Sequence, residues 1–121
     1  MASVELNAAN FESMISAPGT VIVDFWAAWC GPCRNFAPIF EAASEKHQDI
    51  VFGKIDTEAE QQLAAAANIT SIPTLMAFHD GILVFSQPGA LPAEALEDLI
   101  VQIQGLDMDA IKKDIAQRAD A

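Results

Sequence analysis

Cysteine is scarce in this 121-residue chain: there are two, Cys30 and Cys33. A small domain held together by disulfides uses more of them and joins points distant in sequence. A pair three positions apart closes only a small local ring, so it is suited to opening and closing rather than to stapling. Basic residues are scarce as well. Six Lys and Arg stand against 17 Asp and Glu, a net charge of −11, which excludes the electropositive footprint that nucleic acid or an anionic membrane demands of a partner. No apolar run approaches the roughly 20 residues that a membrane span needs. The opening MASVELN has neither a basic stretch nor an apolar core, so no secretory leader is read there and a cytoplasmic location is expected. Two histidines, His47 and His79, lack zinc-site spacing, and Arg34 follows the second cysteine where a c-type haem would need histidine. Neither metal nor cofactor is expected.

What is present fits one domain. Hydrophobic residues make up 52% of the chain and charged ones 19%, enough to bury a core at this length. The elements alternate. Val4 to Leu6 reads as a short strand, and Asn7 or Asn10 as the cap of a helix reaching about Ser16. Thr20 to Trp26 is apolar on both faces, as a central, doubly covered strand requires. From Pro32 to His47 the spacing turns helical, with Phe36, Ile39, Phe40 and Ala43 on one stripe and a kink expected at Pro38. Ile50 to Ile55 is a strand, and Thr57 with Glu60 predicts a capping box before an alanine-rich helix ending near Ala67. Thr74 to Phe78 and Ile82 to Phe85 flank Asp80-Gly81, a hairpin turn with His79 as a solvated neighbour. Pro92 opens a helix carrying Leu96, Leu99, Ile100 and Ile103, which Gly105 ends. A last amphipathic piece presents Met108, Ile111 and Ile115. This order predicts an α/β fold: a mixed sheet with helices on both faces.

The chemistry concentrates in Trp29-Cys30-Gly31-Pro32-Cys33, which follows the central strand and opens a helix. Free N–H groups and the positive end of the helix dipole stabilise a thiolate at Cys30. Cys33, one turn further in, is expected to be less exposed, and the i, i+3 spacing brings the sulfurs within bonding reach. Pro32 costs no hydrogen bond at a helix start. One attacking thiolate and one resolving thiol are what dithiol exchange requires. Asp24 stands out inside the buried strand. An ionised carboxylate there costs several kcal/mol unless paired, so it has a partner such as Lys54, reaches water at the strand end, or holds its proton.

At these residues the sequence resembles the thioredoxin family. WCGPC is the family's active-site motif, preceded by Val23-Asp24-Phe25-Trp26-Ala27. Lys54-Ile55-Asp56, Ile72-Pro73-Thr74, Asp80-Gly81 and Gly89-Ala90-Leu91 follow in the family's order, between about residues 4 and 104. The resemblance implies a five-stranded thioredoxin fold over 1–105 and a monomer, while the apolar stripe of the tail predicts a helical extension over 106–121. It implies that Cys30 is the nucleophile and Cys33 the resolving thiol, the two forming a redox disulfide. Asp24 would be the general base beneath Cys33, with Lys54 modulating its charge. Pro73 would be cis, and Trp29, Gly31, Pro32, Ile72, Pro73 and Gly89 would form the surface that receives substrate. The implied function is protein-disulfide reduction, with electrons supplied by a thioredoxin reductase, most often NADPH-linked, and delivered to disulfide-containing client proteins.

Three features depart from the family pattern. Arg34-Asn35 follow the motif in place of lysine and an apolar residue; Arg34 keeps a positive charge near Cys30. Pro88 precedes Gly89 on the substrate rim, where a backbone N–H is expected; a sheet edge tolerates it. The tail, 106–121, holds three of the six basic residues and is expected to pack back on the domain. Two rival functions stand beside reduction. A disulfide oxidase or isomerase would reverse the direction, against which stands the Gly31-Pro32 dipeptide of the reducing members. A binding module without redox turnover would leave the intact cysteines unexplained.

Overall fold

The computed structural model describes residues 2–119; the last two positions of the tail expected over 106–121 lie outside them. Five strands form one sheet in the order β1-β3-β2-β4-β5: β1 (Val4–Glu5), β2 (Thr20–Trp26), β3 (Val51–Asp56), β4 (Thr74–His79) and β5 (Ile82–Pro88). β1, β3 and β2 run parallel, while β4 and β5 are antiparallel to their neighbours. The five helices are α1 (Phe11–Ile15), α2 (Gly31–Lys46), α3 (Gln61–Ala66), α4 (Ala93–Gln104) and α5 (Met108–Ala119).

β2 lies at the centre because both its faces are apolar. Strand alternation sends Ile22 to the side of α2 and α4, where it packs with Phe36, Phe40, Phe52, Leu75, Leu96 and Ile100. Val21, Val23 and Phe25 go to the other side, against Ile55, Met76 and Phe78, with Phe11, Met14 and Leu63 covering them from α1 and α3. Trimming a side chain such as Phe40, which has no exposure, to alanine costs about 3–5 kcal/mol. At the sheet's parallel edge, the Leu6 N–H donates to the Lys54 carbonyl at 2.9 Å and its side chain lies over Gly53.

Several local expectations change. The Thr57/Glu60 capping box does not form, because its members bond elsewhere. Thr57 donates both its N–H and its hydroxyl to the Trp26 carbonyl, at 2.9 and 3.1 Å. Glu60 accepts the Ala8 N–H at 2.9 Å, so the helix begins only at Gln61 and Glu60 makes no side-chain cap bond. Both asparagines accept before α1: Asn7 Oδ1 takes the N–H groups of Ala9 and Asn10, and Asn10 Oδ1 takes the Asn7 N–H at 2.7 Å, so Asn10 is the N-cap residue without a side-chain bond into the helix. His79 is the last residue of β4, its side chain only 18% exposed and its Nδ1 3.6 Å from Asp80 Oδ1. Asp80 and Gly81 both take positive φ, the conformation that an Asp-Gly hairpin turn needs.

α5 does pack back, through its first turn and one ion pair. Met108 is buried, Lys112 Nζ lies 3.1 Å from Asp80 Oδ2, and the helix is otherwise largely exposed. No helix of the described residues is long and apolar enough to cross a membrane.

Candidate active site

Cys30 occupies the N-cap position of α2, with Gly31, Pro32 and Cys33 forming its first turn. In that position a side chain accepts hydrogen bonds from the helix's unsatisfied N–H groups. The Cys33 N–H donates to Cys30 Sγ at 3.2 Å, and the Arg34 N–H donates to the Cys30 carbonyl at 3.1 Å. The sulfurs of Cys30 and Cys33 are joined in a disulfide whose Cα atoms lie 5.2 Å apart. Cys30 is 4% exposed and Cys33 2%. Both are shielded, so access to sulfur depends on how a partner docks.

The loop that ends in Ile72-Pro73 forms the opposite wall. Its peptide bond is cis, and Ile72 packs against the cysteines with its carbonyl 3.7 Å from Cys30 Sγ. A disulfide sulfur has no proton to donate, so this is a contact in the oxidised protein and a hydrogen-bond site for a Cys30 thiol. The Gly89 N–H donates to the Pro73 carbonyl at 2.7 Å, drawing the end of β5 to the same place. Gly89 has φ +108°, where a side chain is strained. Pro88 pairs in register with Thr74 on β5, the edge strand. Trp29 precedes the motif and is 67% exposed, Gly31 and Pro32 lie between the cysteines, and Ile72 packs on them beside buried Pro73, to which Gly89 is bonded. A groove of about 670 Å³ between α2 and α4, lined by Pro38, Ile39, Ala42 and Leu96, lies away from the cysteines and belongs to no part of this chemistry.

Two interactions around the motif were not legible in the sequence. The Trp29 Nε1–H donates to Glu58 Oε1 at 2.7 Å, and Arg34 reaches back to donate to the Ala28 carbonyl at 2.8 Å. Glu58 lies 29 positions from Trp29 and in no motif; only the turn that Asp56 holds, by accepting the Glu58 N–H at 2.9 Å, brings it there.

Asp24 has no exposure. Alternation along β2 places it between Ile22 and Trp26, on the face that α2 covers. Both carboxylate oxygens are buried without a hydrogen-bond partner. Burial pushes the carboxyl up from 3.8 to about 7, and the Lys54 charge offsets part of that rise. Lys54 is the register neighbour of Asp24 on β3, but its ammonium lies over the Trp26 ring, 4.9 Å from the centroid. Among the described residues no group of His, Cys, Asp and Glu is arranged to hold a metal ion.

Comparison with known proteins agrees with this geometry. The thioredoxin family model matches residues 2–102. The chain belongs to the thioredoxin family. It is 50% identical over 116 residues to putative thioredoxin 2 of Streptomyces coelicolor, covering 96% of this chain and 87% of that protein. Against the thioredoxin of Bacillus subtilis the identity is 39% over 101 residues, covering 83% and 96%. The solved structure of Plasmodium falciparum thioredoxin superposes with a TM-score of 0.75 at 38% identity, over 83% of this chain and 97% of that one. Only 105 residues precede position 106, so the Streptomyces alignment includes part of the tail. As a thioredoxin with its cysteine pair intact, the protein is a thiol–disulfide oxidoreductase, of a family that acts with a thioredoxin reductase and disulfide-bearing clients.

Proposed function

We propose that this thioredoxin reduces client disulfides by attack from Cys30 and resolution by Cys33. The observation that carries the assignment is the Cys33 N–H directed at Cys30 Sγ across the first turn of α2. That donor and the helix dipole both favour charge on the Cys30 sulfur, not on Cys33. In the reduced protein the Cys30 thiolate attacks one sulfur of a client disulfide and expels the other as a thiolate, leaving a mixed disulfide. The Cys33 thiol gives its proton to the Asp24 carboxylate and attacks Cys30 Sγ. The client leaves with both sulfurs reduced, and the Cys30–Cys33 disulfide remains. Two electrons and two protons from the reductase restore the dithiol.

Asp24 suits proton transfer because burial holds its carboxyl near 7, where it both takes and releases a proton at neutral pH. Lys54 bounds that rise from beside it. Trp29, Gly31, Pro32, Ile72, Pro73 and Gly89 receive the client chain around the sulfurs. We assign reduction rather than oxidation from the Gly31-Pro32 dipeptide, and place the protein in the cytoplasm as a monomer served by an NADPH-linked reductase. The net charge of −11 favours protein clients over nucleic acid. Residues 1–105 form the redox domain and 106–121 an extension of it.

The test is a trap. With Cys33→Ser the first step proceeds and the second does not, so clients accumulate as covalent adducts of Cys30 that dithiothreitol releases. Adducts that form equally well in a Cys30→Ser protein would overturn the assignment.

A further inference from the structure

Asp24, Trp26 and Lys54 share one face of the sheet, and their arrangement is unusual for a lysine beside a buried carboxylate. The register sets Lys54 directly next to Asp24, within reach of a side chain with four methylene groups. Yet both Asp24 oxygens are without a hydrogen-bond partner, and no ion pair forms with Asp24 among the described residues. The ammonium instead sits against the ring of Trp26, the aromatic side chain that attracts a cation most strongly. Trp26 is itself fixed. Its carbonyl accepts two hydrogen bonds from Thr57, and its side chain packs on Ala27, Cys30 and Cys33.

We propose that Trp26 is a positioning residue for Asp24: its indole face holds the Lys54 ammonium out of ion-pair reach and so leaves the buried carboxyl without a counter-ion. The other groups facing Asp24 do not supply one. On β3, Asp56 carries the same charge and turns its carboxylate to the N–H groups of Glu58 and Ala59. β4 offers Leu75 and Ala77 on this face, and α4 offers Leu96 and Ile100. At the start of α2, Cys30 and Cys33 are joined to each other and Arg34 is exposed and bound to Ala28; further along the helix Glu41 accepts from Ser3, Glu45 is exposed and Lys46 pairs with Glu97. Lys54 is therefore the one cation whose place decides how readily Asp24 keeps its proton, and Trp26 sets that place.

The inference rests on the reading of Asp24 as proton acceptor, and the experiment separates the two. The Asp24 carboxyl is titrated by carbon-13 NMR in the oxidised wild type, Trp26→Leu, Lys54→Met and the double variant, with Asp24→Asn to assign the signal. In Trp26→Leu the freed ammonium pairs with Asp24 and lowers the midpoint by about one pH unit or more. Adding Lys54→Met reverses that shift. Trp26→Met, also without a ring, carries the same expectation if Trp26→Leu does not fold, and Trp26→Phe stays near wild type. An unmoved midpoint in the ring-less variants overturns the proposal. So does a downward shift that survives Lys54→Met, because it comes from water let into the pocket. If the midpoints move as expected while the pH profile of turnover stays fixed, Trp26 keeps its role and Asp24 loses its place in the mechanism.

Discussion

The backbone N–H of Cys33 points at the sulfur of Cys30 from 3.2 Å, making each cysteine of the motif different from the other. Cys30 is the cap that receives the helix's N–H groups, while Cys33 lies inside the turn and supplies one. In the dithiol this asymmetry favours the thiolate at Cys30 over Cys33. Iodoacetamide at pH 7 is expected to modify Cys30 first, and mass spectrometry of the peptide containing both residues reads the order. Equal labelling would contradict the asymmetry.

Asp24 makes stability depend on pH in a stated direction. Its folded midpoint of about 7 lies above the ordinary 3.8, so between those values the folded protein holds a proton that the unfolded chain has lost. Its contribution is full below about pH 4, declines through the window, and is lost above about pH 7, a change on the order of 4 kcal/mol. Asp24→Asn removes the decline. Urea unfolding at pH 5 and pH 8 is expected to show the variant gaining on the wild type at the higher pH. Turnover of the same variant is expected to fall about tenfold near and above neutrality, the loss of a general base.

Glu58 holds the exposed indole of Trp29, the residue before Cys30. Glu58→Ala is expected to release it, lowering the rate with protein disulfides a few-fold while changing stability by less than about 0.5 kcal/mol, as surface substitutions do. Polarised fluorescence in a Trp26→Phe background, which isolates Trp29, checks the release.

Gly53 is expected to reject alanine. A Cβ there would lie 2.5 Å from Leu6 Cδ1 and 2.8 Å from its Cγ, and Leu6 is itself buried. Gly53→Ala should cost about 1–3 kcal/mol by overpacking, and Leu6→Ala should recover part of it in a double-mutant cycle.

The tail is attached lightly, by buried Met108 and the partly exposed Lys112–Asp80 pair. Removing 106–121 is expected to lower stability by about 1–3 kcal/mol, mostly from Met108, and to leave reduction of a small disulfide substrate unchanged. Thermal unfolding and the reduction assay read the two effects separately.

The sheet was legible because its signals are local and repeated. β2 is apolar on both faces, the Asp80-Gly81 turn demands positive φ, and α2 and α4 carry their stripes at helical spacing. The cysteine motif was legible because a helix start confers its own chemistry on a thiol. What failed depended on competition for partners. The Thr57/Glu60 box is sound by pattern, yet the Trp26 carbonyl and the Ala8 N–H claim its members. Glu58 was invisible because its partner lies 29 residues away. The Asp24–Lys54 neighbourhood was correctly anticipated, but nothing in the spacing tells whether the ammonium turns to the carboxylate or to Trp26.

The central claim is that the Cys30–Cys33 pair delivers electrons to client disulfides. Equilibrating the protein with a dithiothreitol couple and counting free thiols gives its reduction potential directly. The account predicts a value near about −270 mV, the figure characteristic of thioredoxin itself rather than one calculated for this chain. A value between about −120 and −180 mV would place the pair among oxidants and isomerases and contradict the assignment.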